Sequence, residues 1–199
     1  MSSARPPQRA REHRRADAER SIAAILDAAV EVLSERPDAS VEDIARAAGV
    51  SRQTVYAHYP SRRALLEAVQ ERALADAVAA IDAARPESGP PAEALDRLVS
   101  AGWETLGRHA RLIDAFLVLR TADDLHALHR PIFERDEELI ARGQREGKFD
   151  RELSTGWLAA AAMALFHAAA QEVGAGRMSR DEADAALKRT LRRVYGAPG

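Results

Sequence analysis

The residues with the most evident chemistry in this chain are the hydrogen-bond donors of residues 51–63, SRQTVYAHYPSRR. Arg52, Gln53 and Thr54 follow Ser51, a residue type that favours the N-cap of a helix. A helix that starts there presents these three side chains in its first turn. Arginine pairs with the O6 and N7 atoms of guanine, and glutamine pairs with the N6 and N7 atoms of adenine. The spacing therefore predicts base contacts in DNA by Arg52, Gln53 and Thr54.

The polar residues around this turn suit the phosphate backbone. Hydroxyl, imidazole and guanidinium groups bind phosphate oxygens, and such contacts orient a protein on the duplex without reading its sequence. The expected phosphate contacts are Ser40, Ser51, Tyr56, His58 and Arg62. Arg63 places a further positive charge beside them.

Two short helical patterns in residues 40–59 are needed to position these side chains. Ser40 and Asp43 have the spacing of a capping box, and apolar residues then follow at helical intervals. Gly49 comes after the last of them, where a left-handed turn favours glycine. Val55 is the inward residue of the second helix. The layout is that of a helix-turn-helix, although the periodicity and Gly49 alone are equally consistent with any small helical domain.

The same stretch resembles the N-terminal domain of the TetR/AcrR (tetracycline-repressor) family of bacterial transcription regulators. The residues that match the family pattern are Ser40, Ile44, Ala45, Ala48, Gly49, Val50, Ser51, Val55, Tyr56, His58 and Leu65. Tyr59 stands where phenylalanine is usual and Arg62 where lysine is usual, which keeps the ring and the charge. The resemblance implies a ligand-responsive regulator, most often a repressor, that binds a palindromic operator as a dimer and is released by a small-molecule inducer.

The rest of the chain predicts an all-α protein, because it combines alanine-rich helical patterns with few aromatic residues, 5%. We expect a helix-turn-helix domain at 20–66, consisting of a three-helix bundle, and a fourth helix that continues to residue 85. Pro and Gly then interrupt the pattern. By resemblance, the fourth helix leads to a ligand-binding and dimerisation domain at 86–199.

Residues 1–19 carry several arginines and have no apolar run, so they do not resemble a signal peptide. We expect a flexible, solvated tail. The alternative is a basic arm that adds phosphate or minor-groove contacts.

Composition narrows the functional classes. Lys and Arg number 29 against 31 Asp and Glu, a formal net charge of −2, which argues against coating nucleic acid by bulk attraction. There is no Cys, which excludes disulfides and thiolate metal sites and fits a cytoplasmic protein. His126 and His129 have a spacing that metal sites use, but a third ligand other than Asp123 is missing nearby. We expect neither a metal nor a cofactor.

Residues 154–170 contain no Asp, Glu, Lys or Arg. The run is shorter than the ~20 residues of a bilayer span and is rich in alanine, so we expect no membrane insertion. A helix that is apolar all round is buried, either in the core of one chain or between two chains. By resemblance, residues 154–174 and 180–195 form a homodimer interface.

The resemblance also implies an inducer pocket among the C-terminal helices. The candidate lining residues are Trp103, Phe116, Leu119, His129, Phe133, Trp157, Phe166 and His167. For each of them taken singly, ordinary core packing is the plainer explanation.

The main alternative function is an all-helical enzyme or binding module whose helix-turn-helix is only structural. No nucleophile elbow, phosphate loop or histidine-rich metal motif in the sequence supports it. The DNA-binding hypothesis and this alternative differ in what they require of four side chains. Residues that contact DNA must be exposed, and the residues concerned are Arg52, Gln53, Tyr56 and His58.

Overall fold

The computed structural model describes residues 8–108 and 121–196, and the regular structure in these ranges is helical throughout, which confirms the predicted all-α class. The helices are α1 (Gln8–Glu35), α2 (Val41–Ala47), α3 (Arg52–His58), α4 (Arg62–Ala83), α5 (Pro91–Arg108), α6 (Ala122–Arg145), α7 (Thr155–Gly174) and α8 (Arg180–Val194). The chain divides into two compact units, the first ending at Val69 and the second beginning at Gln70. The division lies within α4, so this helix contributes residues to both units.

The first helix starts earlier than the sequence predicts. α1 begins at Gln8, so residues 8–19, predicted to be a flexible tail, are helical. The segment consists largely of Arg, Ala, Glu and Gln, which favour a helix even without an apolar face. The helix ends at Glu35, ahead of Pro37, because a proline disfavours helical geometry in the residue before it.

The core of the first unit is formed by apolar residues spaced along α1 to α4. Ile25, Ile44, Val55 and Val69 are each 0% exposed. Burial of a side chain of this size contributes about 1.5–3 kcal/mol, so these few contacts account for much of the stability of the short helices α2 and α3. α2 packs on both α1 and α3.

In the second unit, α6 packs on α7, and α8 packs on both α5 and α7. The residues with 0–3% exposure that hold these helices together are Leu95, Val99, Trp103, Leu139, Ile140, Leu158, Leu187 and Leu191. The indole N–H of Trp103 donates to the carbonyl of Arg180 at 2.9 Å, which joins α5 to the start of α8.

The segment with the strongest linker composition, 85–91, is a fixed loop inside the second unit. Arg97 donates to the carbonyls of Ala84 and Ser88 at 3.1 and 2.6 Å. Arg142 donates to those of Pro86 and Gly89 at 2.9 and 2.7 Å. Two arginines from different helices thus bind the loop. The division into compact units falls within α4, between the predicted end of the helix-turn-helix domain at 66 and the predicted start of the C-terminal domain at 86.

Pro131 lies inside α6, which runs through it from Ala122 to Arg145. A capping box between Thr121 and Asp124 begins the helix. Gly147, with φ 69°, allows the chain to turn at its end. The guanidinium of Arg135, one turn further along the helix, donates to the backbone carbonyl of Pro131 at 2.7 Å.

The last two helices begin at serines. Ser154 caps α7, and Ser179 forms a capping box with Glu182 at the start of α8. Tyr195 is the C-cap residue of α8 and is followed by Gly196 with φ 68°. Within the ranges 8–108 and 121–196, no helix has the length and apolar character that a bilayer crossing requires.

Candidate nucleic-acid interface and ligand cavity

The helix α2 is fixed at its N-terminus by the predicted capping box, which is confirmed. The Ser40 hydroxyl accepts from the backbone N–H of Asp43 at 3.1 Å, and the Asp43 carboxylate accepts from the backbone N–H of Ser40 at 3.0 Å. Hydrogen bonds from the Ser40 hydroxyl and backbone lower the pKa of Asp43. An ionised carboxylate at the positive end of a helix is itself stabilising.

The turn between α2 and α3 has the hydrogen bonds of a Schellman motif. The N–H of Val50 donates to the carbonyl of Ala45 at 3.0 Å, and the N–H of Gly49 donates to that of Arg46 at 3.2 Å. This geometry requires a left-handed residue, and Gly49 has φ 67°. The turn therefore sets the direction in which α3 leaves α2.

The start of α3 presents the predicted base-contacting residues. The Ser51 hydroxyl accepts from the backbone N–H of Thr54 at 3.0 Å, an N-cap worth about 0.5–2 kcal/mol. Val55 is 0% exposed and anchors the helix, whereas Arg52 and Gln53 are exposed. Thr54 is half-buried, with its hydroxyl 2.8 Å from that of Ser51.

Arg52 has a defined neighbour on the exposed face of α3. Its guanidinium carbon lies 5.2 Å from the centroid of the Tyr56 ring, one turn further along the helix. Such a cation–π contact contributes about 0.5–1 kcal/mol at an exposed site. It restricts the arginine to the side of the helix on which Tyr56, 37% exposed, also lies.

The remaining aromatic residues at the end of α3 are less exposed. His58 is half-buried, and its ring centroid lies 6.4 Å from that of Tyr59. Burial raises the pKa of the Tyr59 phenol, so this ring is neutral and packs as the family's phenylalanine would. Arg52, Gln53 and Tyr56 thus form one exposed polar surface, as a DNA contact requires.

Arg62 has a different role from the one the sequence predicts. Its guanidinium donates to the backbone carbonyls of Pro37 and Ala39, in the connection between α1 and α2. The residue is half-buried, so we correct it from a phosphate contact to a structural residue of the first unit. The neighbouring Arg63 is exposed and pairs with Glu67 at 2.9 Å on the same helix.

A cavity of about 90 Å³ lies in the second unit among α4, α5, α6 and α7. Four predicted lining residues are present in its wall: His129, Phe133, Phe166 and His167. The other lining residues are mainly aliphatic, among them Leu74, Ile81, Leu98, Ile132 and Met163. Phe116 and Leu119 lie outside the described residues.

The two tryptophans were wrongly predicted to line the pocket. Trp103 is 3% exposed, but it packs towards α8, where its indole binds the carbonyl of Arg180. Trp157 is 62% exposed at the start of α7. Aromatic character alone predicted both, and it does not reveal which side of a helix faces a cavity.

Asp136 is a cavity residue that the sequence analysis missed. It is 5% exposed, and the hydroxyl of Tyr195 donates to its Oδ2 atom at 2.6 Å. Burial raises its pKa to about 6, although the hydrogen bond from Tyr195 acts in the opposite direction. The sequence feature that could have identified Asp136 is its spacing. His129, Ile132 and Asp136 recur at intervals of three and four residues and so share one face of α6.

The two cavity histidines are neighbours. The ring centroids of His129 and His167 lie 5.7 Å apart with the planes at 74°. Burial, and then the charge of His129, lower the pKa of His167, which favours its neutral form. His126 instead stacks on Phe133 at 4.8 Å, so it does not join His129 in a common site. Among the described residues, no cluster of three potential ligands could hold a metal ion.

One face of α7 is exposed although the helix is rich in apolar residues. Ala160, Ala164 and Ala168 are exposed, at spacings of four residues. Leu153 and Trp157, 40% and 62% exposed, continue this surface towards the start of the helix. The opposite face contains the buried residues Leu158, Ala159, Ala162 and Ala170. We refer to Leu153, Trp157, Ala160, Ala164 and Ala168 as the α7 stripe.

Comparison with known proteins places this fold and motif in a family. Residues 25–69 match the profile of the tetR family of bacterial regulatory proteins. The crystal structure of the TetR-like transcriptional regulator LfrR from Mycobacterium smegmatis in complex with proflavine aligns with a TM-score of 0.68 at 32% identity. The alignment covers 87% of this chain and 94% of the LfrR chain. The chain belongs to the TetR family, and it is a transcriptional regulator and not an enzyme.

Two curated relatives match over the N-terminal part of the chain. The transcriptional repressor LfrR of Mycolicibacterium smegmatis is 48% identical over 83 residues, which is 42% of this chain and 44% of the repressor. The transcriptional regulator EthR of Mycobacterium tuberculosis is 34% identical over 90 residues, which is 43% of this chain and 42% of the regulator. Each match spans less than half the length of the curated relative.

Proposed function

We propose that this protein is a repressor that binds a palindromic operator as a homodimer and is released when a small molecule occupies the cavity of the second unit. The observation that carries the proposal is the division of α3 into two faces. Val55 is 0% exposed in the core of the first unit, while Arg52 and Gln53 extend outward from the first turn. A recognition helix needs this division, since its N-terminal residues contact base edges.

In the proposed complex Arg52 and Gln53 provide the hydrogen bonds to bases. Thr54 contributes chiefly its methyl group, because its hydroxyl is 2.8 Å from that of Ser51 and is already bonded. Ser40, Ser51, Tyr56 and His58 remain the proposed phosphate contacts. The Arg52–Tyr56 contact supports this assignment, because it holds a base-reading and a phosphate-binding side chain on one surface.

The homodimer is proposed to form through α7 and α8. The α7 stripe supports this, because its apolar side chains are exposed in the single chain and small alanines allow a second helix to approach closely. A dimer with two-fold symmetry presents two α3 helices, and a palindromic operator requires them about one DNA turn apart, ~34 Å. One half-site alone offers too few contacts for tight binding.

The inducer is proposed to bind among α4, α5, α6 and α7. A drug-sized ligand needs roughly 300–1,000 Å³. The cavity of about 90 Å³ must therefore widen, and the ligand-bound state differs from the one described. A ligand that prefers the widened state shifts the population towards it, by no more than its difference in affinity for the two states. The crystal structure of LfrR contains proflavine, which supports a ligand-responsive function for this chain.

Footprinting on the DNA that flanks the gene tests the proposed function. We expect protection of a palindrome whose half-sites are centred about one helical turn apart. Gln53→Ala should weaken protection of this site, and Ala75→Ser, an exposed change on α4, serves as the matched control. Binding that protects no discrete sequence would contradict the repressor function.

Release by a ligand is tested by fluorescence anisotropy of the labelled operator. Proflavine is the first compound to titrate, because it is the ligand in the LfrR structure. If it induces, Phe166→Ala, a change in the cavity wall, should alter the concentration needed for release and leave operator affinity without ligand unchanged. An unchanged concentration would place the site of proflavine elsewhere.

A further inference from the structure

Asp136 is an acidic residue in the wall of a mainly apolar cavity. It is 5% exposed, and α6 places it on the same face as His129 and Ile132, which also line the cavity. Among the residues that the structure describes, the remaining polar lining consists of Gln70 and the two histidines. A carboxylate in such surroundings loses much of its hydration, which costs several kcal/mol unless other groups compensate.

The compensation within the described residues is incomplete. The Tyr195 hydroxyl donates to Oδ2 at 2.6 Å, but Oδ1 is buried and has no hydrogen-bond partner among the residues that the structure describes. Neither Tyr195 nor the adjacent Glu137 brings a positive charge to the carboxyl, and Glu137 acts as a like charge. The carboxyl of Asp136 therefore retains the capacity to accept a donor from a ligand.

We propose that the cavity binds a cationic amphiphile, a protonated amine on an apolar body, whose N–H donates to Oδ1 of Asp136. The inference rests on the proposed function and adds the chemical class of the inducer. The aliphatic walls and the rings of Phe133 and Phe166 enclose the apolar body. The ammonium supplies both the missing donor and the missing counter-charge.

A cation is favoured over a neutral or anionic ligand for electrostatic reasons. With a pKa of about 6, Asp136 is mainly ionised at neutral pH, so an anion in the same cavity would meet a like charge. A neutral alcohol could donate to Oδ1 but would leave the charge unbalanced. Across the cavity, the lowered pKa of His167 keeps that side chain neutral, so it does not oppose a cation.

Octylamine, octanol and octanoate form a matched series that tests the ligand class by calorimetry. We expect octylamine to bind the wild-type protein at least about tenfold more tightly than octanol, as a hydrogen bond to a charged group implies. Octanoate should bind least. Asp136→Asn keeps the shape but removes the charge, and it should abolish the preference for the amine. Tyr195→Phe retains the carboxylate and should preserve that preference.

Proton release gives a second readout. Near pH 6, octylamine should displace the proton from Asp136, so the apparent binding enthalpy should depend on the ionisation enthalpy of the buffer. Within the described ranges, the other titratable groups that face the cavity or the carboxyl are His129, His167, Glu137 and Tyr195. Any protons they release should persist in Asp136→Asn, so the difference between the two proteins isolates Asp136.

The proposal is overturned if octylamine fails to bind or binds no better than octanol, or if its preference survives Asp136→Asn. Operator release, measured separately, distinguishes this failure from that of the proposed function. If octylamine binds through Asp136 without releasing operator, the proposed induction by a cavity ligand is wrong, and the proposed ligand class is retained. If a neutral or anionic compound releases operator and the amine does not bind, the proposed induction is retained, and the proposed cationic ligand class is wrong.

Discussion

The hydroxyl of Tyr195 donates to Oδ2 of Asp136 at 2.6 Å, which links the end of α8 to the middle of α6. Tyr195 is 0% exposed, and its ring packs edge-on against Phe149 with the centroids 5.5 Å apart. Its backbone carbonyl accepts from the N–H of Asp150 at 2.8 Å. The residue that caps the last helix therefore fixes the position of the Asp136 carboxyl in the cavity wall.

The first prediction concerns the pH dependence of stability. The pKa of Asp136 in the folded chain, about 6, lies above the ordinary value of 3.8, so the folded state binds the proton more tightly than the unfolded state. This group's contribution to stability is therefore greatest at low pH, falls as the pH rises from about 4 to about 6, and is constant above that range. Asp136→Asn should remove this dependence.

Urea unfolding of the wild type and Asp136→Asn, followed by circular dichroism at several pH values, measures the effect. The difference in unfolding free energy between the two proteins should change by on the order of 3 kcal/mol between about pH 4 and pH 7, in favour of the variant at the higher pH. Parallel pH profiles would show that Asp136 has an ordinary pKa.

The second prediction concerns base recognition. Arg52→Ala should cost about 1–3 kcal/mol of operator affinity and relax the preference at one base pair in each half-site. Binding to operators substituted at single positions measures both effects. Arg177→Ala is a matched control, since this exposed arginine pairs with Glu172 between α7 and α8 and should not alter binding. Equal losses on operator and random DNA would assign Arg52 to phosphate.

The third prediction separates the two arginines at the start of α4. Arg62→Ala should lower the melting temperature, because two carbonyls between α1 and α2 lose their donor, and Arg62→Lys should restore only part of the loss. The salt dependence of DNA binding by the folded protein should remain unchanged. Arg63→Ala, at the exposed neighbouring position, should instead reduce the salt slope by about one unit if Arg63 contacts a phosphate.

Thermal unfolding and DNA titrations at several salt concentrations test this pair of variants. If Arg62→Ala reduced the salt dependence of DNA binding without lowering thermal stability, Arg62 would be a phosphate contact and not a structural residue.

The fourth prediction concerns the α7 stripe. Ala164 and Ala168 are exposed in the single chain, so Ala164→Glu and Ala168→Glu should leave its fold intact. In a dimer each variant places an unpaired charge in the interface, which costs several kcal/mol. Light scattering should show a dimer for the wild type and a monomer for the variants, and operator affinity should fall with dimerisation.

Circular dichroism of these variants verifies folding, and Ala75→Glu, an exposed change on α4, is the control for added charge. If the wild type were monomeric at micromolar concentration, or if both variants remained dimeric, the interface would not include the α7 stripe.

The sequence by itself determined the elements whose contacts are local. The capping box at Ser40, the left-handed Gly49 and the buried Val55 all depend on residues within one or two turns of each other. Residue type and spacing are then sufficient, because each hydrogen bond closes over a few residues of backbone. The helix-turn-helix and the exposed polar start of α3 followed from this local information.

Only the tertiary structure decided the roles of side chains whose partners are distant in sequence. Arg62 binds carbonyls between α1 and α2, Trp103 binds the start of α8, and Asp136 is joined to Tyr195. Their residue types allow either a functional or a packing role. Which role each adopts depends on how the helices pack, since packing determines whether a side chain faces a carbonyl, a cavity or solvent. The family resemblance implied a cavity among the C-terminal helices, but only their packing placed a carboxylate in its wall.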